Sequence, residues 1–129
     1  MILADSSIWI DFFNDNKHIK VDAFVEYLSR EKIITADLVV AEVLQGFRKD
    51  RDFFTALEIF KTIPCYSIGG KELAIKSAAN FRVLRKKGIT IRKTIDMLLA
   101  TYCMENKISL IHNDRDFELI ATELELILL

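Results

Sequence analysis

The segment Thr94–Phe117, TIDMLLATYCMENKISLIHNDRDF, predicts a buried helix and a short strand, each with an aspartate near one end. The helix is almost wholly apolar over Met97–Met104, and the strand-like run Ile108–His112 follows closely. About eleven helical residues rise roughly 1.5 Å each and about five strand residues advance roughly 3.3 Å each, so the two elements have similar lengths. The strand returns the chain to the start of the helix, and we expect Asp96 and Asp114 to be neighbours.

Each of these aspartates also has a purely structural explanation. Asp96 lies in the first turn of a helix that Thr94 can cap, where a negative charge suits the helix dipole. Asp114 can be the N-cap of a helix that begins near Arg115. Position alone therefore leaves the role of either residue open.

The rest of the chain alternates short apolar strands with helices. The strand Ile2–Ala4 ends at Asp5, which can cap the helix opened by Ser6 and Ser7. This alternation predicts one α/β domain over residues 1–129, with a mainly parallel sheet of about five short strands covered by helices on both faces. The other predicted elements are helices Val21–Arg30, Leu38–Phe47 (capped by Asp37), Phe53–Ile63, Lys71–Lys87 and Arg115–Thr122, and strands Ile33–Ala36, Cys65–Ile68 and Glu125–Leu129.

Three acids are predicted to meet at one edge of this sheet. In a parallel sheet the ligand crevice lies outside the C-terminal ends of the strands. Asp5 and Asp114 follow the first and fourth strands there, and Asp96 begins the helix that leads away from that edge. Clustered carboxylates repel one another unless a cation lies between them, and an oxygen-only set favours Mg²⁺ or Mn²⁺ over zinc.

Length and composition restrict the class of protein. A chain of 129 residues with 51% hydrophobic content suits one core. No acid-free apolar run approaches the roughly 18 residues of a membrane span, and the start, MILADSSIW, lacks the features of a signal peptide. Cys65 and Cys103 are isolated thiols, as in a reducing compartment. We expect a cytoplasmic protein with no membrane contact.

Charge is unevenly distributed despite a net charge of −1. The stretch Leu73–Ile95 contains no acid but seven basic residues, which form either a solvated helix face or a phosphate-binding surface. Arg92 and Lys93 directly precede Asp96. They are the nearest basic candidates to hold the backbone of a nucleic-acid substrate.

Four motifs together resemble a known family. DSSIWIDFF, AEVLQGF, TIDMLLA and NDRDF are similar to the motifs of PIN-domain nucleases, specifically the VapC-like toxins of type II toxin–antitoxin pairs, in the same order across essentially the whole chain. The resemblance implies a three-layer α/β/α PIN-like fold. It also places the acidic, metal-binding quartet of the family on Asp5, Glu42, Asp96 and Asp114. Periodicity does not single out Glu42, which lies off the apolar stripe of its helix.

The resemblance further implies a Mg²⁺-dependent endoribonuclease that cleaves structured RNA, such as transfer or ribosomal RNA. Water attacks the phosphodiester, leaving 5′-phosphate and 3′-hydroxyl ends. Asp116 is then a fifth catalytic acid, and Ser6 joins Arg92 and Lys93 as a substrate-binding residue. Relatives often carry threonine where His112 stands, and we predict a structural role for this histidine.

The resemblance implies two partners besides the RNA, a cognate VapB-like antitoxin and a second copy of the chain in a homodimer. Two other classes of protein share some of these features. A phosphoacceptor receiver domain has a similar size and a Mg²⁺ pocket, but it needs an aspartate after its third strand, and Cys65–Gly70 contains no acid. A PIN-like RNA-binding module without catalysis would have no need for all four acids.

Overall fold

The computed structural model describes all residues from 1 to 129 and contains four short strands, β1 (Ile2–Ala4), β2 (Ile33–Ala36), β3 (Cys65–Tyr66) and β4 (Ser109–Ile111). They form a parallel sheet in the order β3-β2-β1-β4. In register, Leu3 lies between Ile34 on one side and Leu110 on the other. The predicted parallel α/β architecture is confirmed.

Seven helices cover the sheet: α1 (Ser6–Phe13), α2 (Ile19–Ser29), α3 (Asp37–Gln45), α4 (Asp50–Phe60), α5 (Gly70–Lys86), α6 (Thr94–Asn106) and α7 (Arg115–Glu123). Helices α1 to α4 contact one another, and α5 to α7 form a second group. The first two crossovers run from β1 outward to β3, whereas the third runs back past β1 to β4. Crossovers between parallel strands are right-handed. Because the third crossover runs in the opposite direction along the sheet, helices α5 to α7 lie on the face opposite to helices α1 to α4.

The core lies on both faces of the sheet around β1. This strand is buried because it lies between β2 and β4. Twenty-five buried apolar residues form one connected cluster. On the α1 side, Trp9 is fully buried, with its ring centroid 4.8 Å from that of Phe24 and 4.7 Å from that of Phe60. Phe54, on α4, is instead 58% exposed. No helix is both long and apolar enough to cross a bilayer.

The predicted closing strand Glu125–Leu129 was wrong in extent. Only Leu128 forms a bridge, parallel to Leu110, supported by the hydrogen bonds Leu110 N–H to Ile127 O and Leu129 N–H to Leu110 O, both 2.9 Å. The chain turns just after α7, where the Leu126 N–H donates to Leu124 O at 2.9 Å. This local bond closes a tight turn over residues 124–126 that interrupts the extended backbone, so the sheet has four strands and not five.

Two of the predicted helix caps were also wrong by one residue. Asp37 and Thr94 are the first residues of α3 and α6, and the N-caps are Ala36 and Lys93, neither with a side-chain capping bond. The Asp37 carboxylate instead accepts the N–H of Ile68 at 3.0 Å, which ties the loop after β3 to α3. Asp5 and Asp114 do cap α1 and α7, as predicted.

Candidate metal centre

Asp5 lies at the C-terminal end of β1 and is only 2% exposed. Its Oδ2 accepts the Ser7 N–H at 3.0 Å and the Ser7 hydroxyl at 2.6 Å, whereas its Oδ1 is buried without a hydrogen-bond partner. Burial raises the pKa of Asp5, and the bonds from Ser7 oppose this shift only in part. One oxygen therefore fixes the carboxylate and the other remains available.

Asp96 lies in the first turn of α6 and is also 2% exposed. Its Oδ2 is buried and unpartnered. The pKa of Asp96 is raised to about 7, mainly by burial and in addition by the negative charges of Asp5 and Asp114. Lys93 opposes this shift and Glu42 adds to it. Four acids from four separate parts of the sequence thus act on one another at this sheet edge.

Glu42 projects from the middle of α3 and is half-buried. Its Oε1 accepts the hydroxyl of Ser6 at 3.1 Å, which links α3 to the first residue of α1. Burial raises the pKa of Glu42, the Ser6 hydrogen bond lowers it, and Asp5 raises it. Ser6 itself is buried, so its hydroxyl positions Glu42 in this structure.

Asp114 and Asp116 share one cation, Arg92. The Arg92 Nε donates to Asp116 Oδ2 at 3.1 Å, and its Nη2 lies 3.5 Å from Asp114 Oδ1. The backbone N–H of Arg92 also points to Asp116 Oδ2 at 3.4 Å. Asp116 is buried while the Arg92 side chain is 68% exposed, so Asp116 anchors the loop before α6 and Arg92 reaches over the acids into solvent.

His112 is buried beside the cluster and supports its geometry. Its Nδ1 accepts the Asp114 N–H at 3.1 Å, and its ring lies 5.2 Å from the Phe117 ring. Burial lowers the pKa of His112, and the positive charge of Lys20 acts in the same direction. A neutral imidazole holding the Asp114 backbone fits the predicted structural role.

Two features of the cluster suit a divalent cation. The oxygens of Asp5 and Asp96 that are buried without a hydrogen-bond partner are atoms that a bound cation would satisfy. The donors are also all oxygen, as Mg²⁺ and Mn²⁺ prefer. No three acidic, histidine or cysteine side chains are close enough in this geometry to coordinate one ion. Without a cation the carboxylates repel, and Glu42 and Asp114 are engaged by Ser6 and Arg92.

Sequence reasoning missed three residues that organise this site. The Ser7 hydroxyl donates to Asp5 and accepts the Asn113 N–H at 2.8 Å. The Asn113 side chain in turn donates to Asp11 Oδ2 at 2.6 Å. These bonds hold the loop that carries Asp114 against α1. For Ser7 and Asn113 the signal available was their position beside the acids, in DSS and NDRD, whereas Asp11 lies further along α1 and gave none.

The whole chain can be compared with known protein families. The family profile described as PIN domain matches residues 2–123. The chain belongs to the PIN domain family. The receiver-domain alternative is thereby set aside, and β3 of this PIN domain carries no acid at its end.

Individual relatives align with this PIN domain over nearly its whole length. It is 27% identical over 123 residues to "Ribonuclease VapC11" of Mycobacterium tuberculosis, which covers 94% of this chain and 92% of the relative. The crystal structure of DNA-bound VapBC from Salmonella typhimurium aligns with a TM-score of 0.78, 16% identity and coverage of 99% and 96% of the two chains. That of M. tuberculosis VapC20, described as a Sarcin-Ricin loop cleaving toxin, aligns with a TM-score of 0.70, 14% identity and 95% coverage of both chains. At these identities the structural matches show a shared fold.

The role of His112 can be tested by stability. His112→Ala should lower the free energy of unfolding by roughly 2 kcal/mol or more, because it leaves a cavity and an unpaired Asp114 N–H. His112→Asn, whose side-chain oxygen can accept the same N–H, should recover part of the loss. The measurement is urea denaturation of both variants. A loss of turnover in His112→Ala with unchanged stability would contradict the structural role.

The raised pKa of Asp96 predicts a pH dependence of stability without metal. Between the unfolded pKa near 4 and the folded pKa of about 7, the folded state binds more protons than the unfolded state. The contribution of Asp96 is therefore complete below about pH 4 and is lost as the pH rises to about 7. Urea denaturation in chelator should show that the free energy of unfolding of Asp96→Asn rises relative to that of the unsubstituted protein as the pH increases over this range. A constant difference across the range would contradict the assigned pKa.

Proposed function

We propose that this PIN domain is a divalent-metal-dependent endoribonuclease and the toxin of a toxin–antitoxin pair. The observation that carries the proposal is the pair of buried, unpartnered carboxylate oxygens on Asp5 and Asp96, surrounded by two further acids. The relative named a ribonuclease supports RNA as substrate. The VapBC structure supports a partner protein.

Asp5 and Asp96 are the principal candidates to hold Mg²⁺ or Mn²⁺, with Glu42 and Asp114 completing the site directly or through water. When bound, such an ion lowers the pKa of a coordinated water and neutralises phosphate charge. Asp5 is preorganised for this role because the Ser7 hydrogen bonds lock one of its oxygens and leave the other free.

The basic residues before α6 would orient the substrate. Arg92, held at its Nε by Asp116, presents the exposed part of its guanidinium beside Asp114, where it can bind a phosphate oxygen. Lys93 is exposed, and its charge acts on both Asp96 and Glu42, so it lies within reach of the same phosphate. Asp116 thereby acts as a positioning residue and not as a metal ligand. Ser6 positions Glu42 and lies at the same edge.

The biological role is proposed from the same family. VapC20 is described as a Sarcin-Ricin loop cleaving toxin, and structured transfer or ribosomal RNA is the proposed substrate class here. A VapB-like antitoxin would hold the protein inactive in the cytoplasm. A homodimer is the proposed assembly, as the resemblance implies.

The direct test uses end-labelled total RNA incubated with the protein in chelator and then with Mg²⁺ or Mn²⁺ added. Cleavage should appear only with metal and should leave 5′-phosphate and 3′-hydroxyl ends, because water and not the ribose 2′-hydroxyl attacks. Ligation of an adaptor that requires a 5′-phosphate reads out the ends. Cleavage in chelator, or 2′,3′-cyclic phosphate ends, would overturn the mechanism. Metal-independent RNA binding without cleavage would favour the non-catalytic alternative.

The basic residues give a separate prediction on binding. Arg92→Glu and Lys93→Glu should each weaken RNA binding and reduce its salt dependence by about one unit in the logarithmic slope, because each lost phosphate contact removes counterion release. Arg51→Glu, an exposed reversal on α4 with no ion pair to break, is the matched control. Fluorescence anisotropy at several salt concentrations measures the slope. Equal slopes for all three variants would mean that Arg92 and Lys93 belong to a solvated face.

A further inference from the structure

A groove of about 490 Å³ runs between α5 and α6, beside the metal centre and outside it. Its volume lies within the range of small-ligand sites. The floor is apolar, and the walls carry hydroxyl and guanidinium groups. It is lined by Ala74, Ser77, Ala78, Phe81, Arg82, Arg85, Ile91, Thr94, Met97 and Leu98.

The rim of the groove carries two cations that form no ion pair with a carboxylate. Arg82 and Arg85 are exposed on α5, and neither guanidinium lies within 4.0 Å of a carboxylate. Lys76 on the same helix and Lys87, its C-cap, in contrast pair with Glu105 and Glu123. The Arg85 guanidinium lies over the Phe81 ring, 5.5 Å from its centroid. Unpaired cations above an aromatic floor suit a ligand that is both anionic and planar.

The groove is continuous with the basic rim of the metal centre. Thr94, which lines the groove, directly follows Lys93, whose charge acts on Asp96 and Glu42. Ile91, also in the groove, directly precedes Arg92, which contacts Asp114 and Asp116. Arg92 and Lys93 therefore lie on the backbone segment between two residues that line the groove.

We propose that the groove binds an unpaired nucleobase of the RNA substrate, adjacent to the phosphate at the metal centre, while Arg82 and Arg85 bind the flanking phosphates. This inference rests on the proposed ribonuclease function. RNA recognition commonly uses splayed bases stacked on aromatic or guanidinium planes, which Phe81 and Arg85 provide. The cations Arg82 and Arg85, which have no carboxylate partner, favour a polyanion over an apolar protein helix as the occupant.

The test measures binding of a short, fluorescein-labelled single-stranded RNA of mixed sequence, and of the same strand with abasic nucleotides, by anisotropy in chelator. The intact strand should bind about tenfold more tightly, because the abasic strand retains the phosphates but loses base stacking. Ala78→Trp, which fills the groove from an exposed position, should abolish this preference. Ala79→Trp, at the exposed neighbour that does not line the groove, should retain it.

The arginines are tested against a matched cation. Arg82→Ala and Arg85→Ala should each weaken binding of both strands by about three- to tenfold. Lys86→Ala, on the same helix but outside the groove, should change binding by less than about twofold. Equal losses from all three variants would overturn the proposal, as would equal binding of the intact and abasic strands by the unsubstituted protein.

Two controls separate this inference from other outcomes. If Ala78→Trp converts a dimer to a monomer by light scattering while the preference for the intact strand persists, the groove binds a second copy and the proposal is wrong. Because binding is measured in chelator, it is independent of catalysis. A protein that prefers the intact strand but fails to cleave RNA with Mg²⁺ would support the groove while refuting the proposed enzymatic activity.

Discussion

Asp96→Asn and Asp5→Asn are each expected to reduce RNA cleavage by about a hundredfold or more while leaving the protein folded. Each substitution replaces a carboxylate that has one buried oxygen without a partner by an amide, which binds Mg²⁺ poorly. The measurement is the initial rate of cleavage of one labelled RNA at saturating Mg²⁺. Asp116→Asn should be milder, because that carboxylate binds Arg92.

The same substitutions should not destabilise the metal-free protein. The charge of Asp96 is disfavoured by burial and by its acidic neighbours, so Asp96→Asn should raise the free energy of unfolding near pH 7 by roughly 1–2 kcal/mol after allowance for solvent screening. Glu125→Gln, at an exposed acid without an ion pair, is the matched control for loss of one charge. Full activity in both aspartate variants would refute the assignment of the site, whereas lost activity with lost folding would not support it.

Expression of this chain alone in a bacterium is expected to arrest growth, and co-expression of the cognate antitoxin from a neighbouring reading frame should restore it. The arrest follows from cleavage of an essential RNA and should disappear in Asp96→Asn. Viable counts after induction, with protein level checked by immunoblot, measure both effects. Normal growth with abundant soluble, metal-competent protein would contradict the toxin role and leave the nuclease proposal intact.

We expect the proposed antitoxin to bind on the α1 and α3 side of the molecule. A small groove of about 220 Å³ lies between α1 and α3, lined by Ile10, Phe13, Val43 and Phe47 among others. Ile10 is 42% exposed. Val43, which lines this groove, directly follows Glu42 on α3, so we expect an amphipathic antitoxin helix bound here to lie near that acid. From there a basic side chain could reach the carboxylates in place of the cation.

The sequence predicts the sheet and the convergence of three acids because both depend on strong, local patterns. Apolar strands that alternate with helices require parallel crossovers, and Asp5 and Asp114 directly follow their strands. Glu42 is different, because it sits within a helix off the apolar stripe. Only the family resemblance singled it out, and the structure brings it to Ser6 by tertiary packing of α1 on α3.

The missed features depend on details that patterns do not carry. The C-terminal segment 125–129 has the composition of a strand. A local turn at Leu124 nevertheless limits its pairing with the sheet to the single bridge between Leu128 and Leu110. The pairing of Arg92 with Asp116 joins residues 24 positions apart through side-chain geometry. The linkage from Ser7 to Asn113 spans 106 positions and depends on hydroxyl and amide orientation, which no hydrophobic periodicity encodes.

Binding of Mn²⁺ or Mg²⁺ to the protein without RNA tests the central claim most directly, since it requires no knowledge of the substrate. Calorimetric titration should show binding to the unsubstituted protein, at least about tenfold weaker binding to Asp96→Asn and Asp5→Asn, and near-normal binding to Asp116→Asn. Metal should also raise the melting temperature of the unsubstituted protein, because it binds only the folded state. Equal metal affinity in the unsubstituted protein, Asp5→Asn and Asp96→Asn would show that these carboxylates do not form the site.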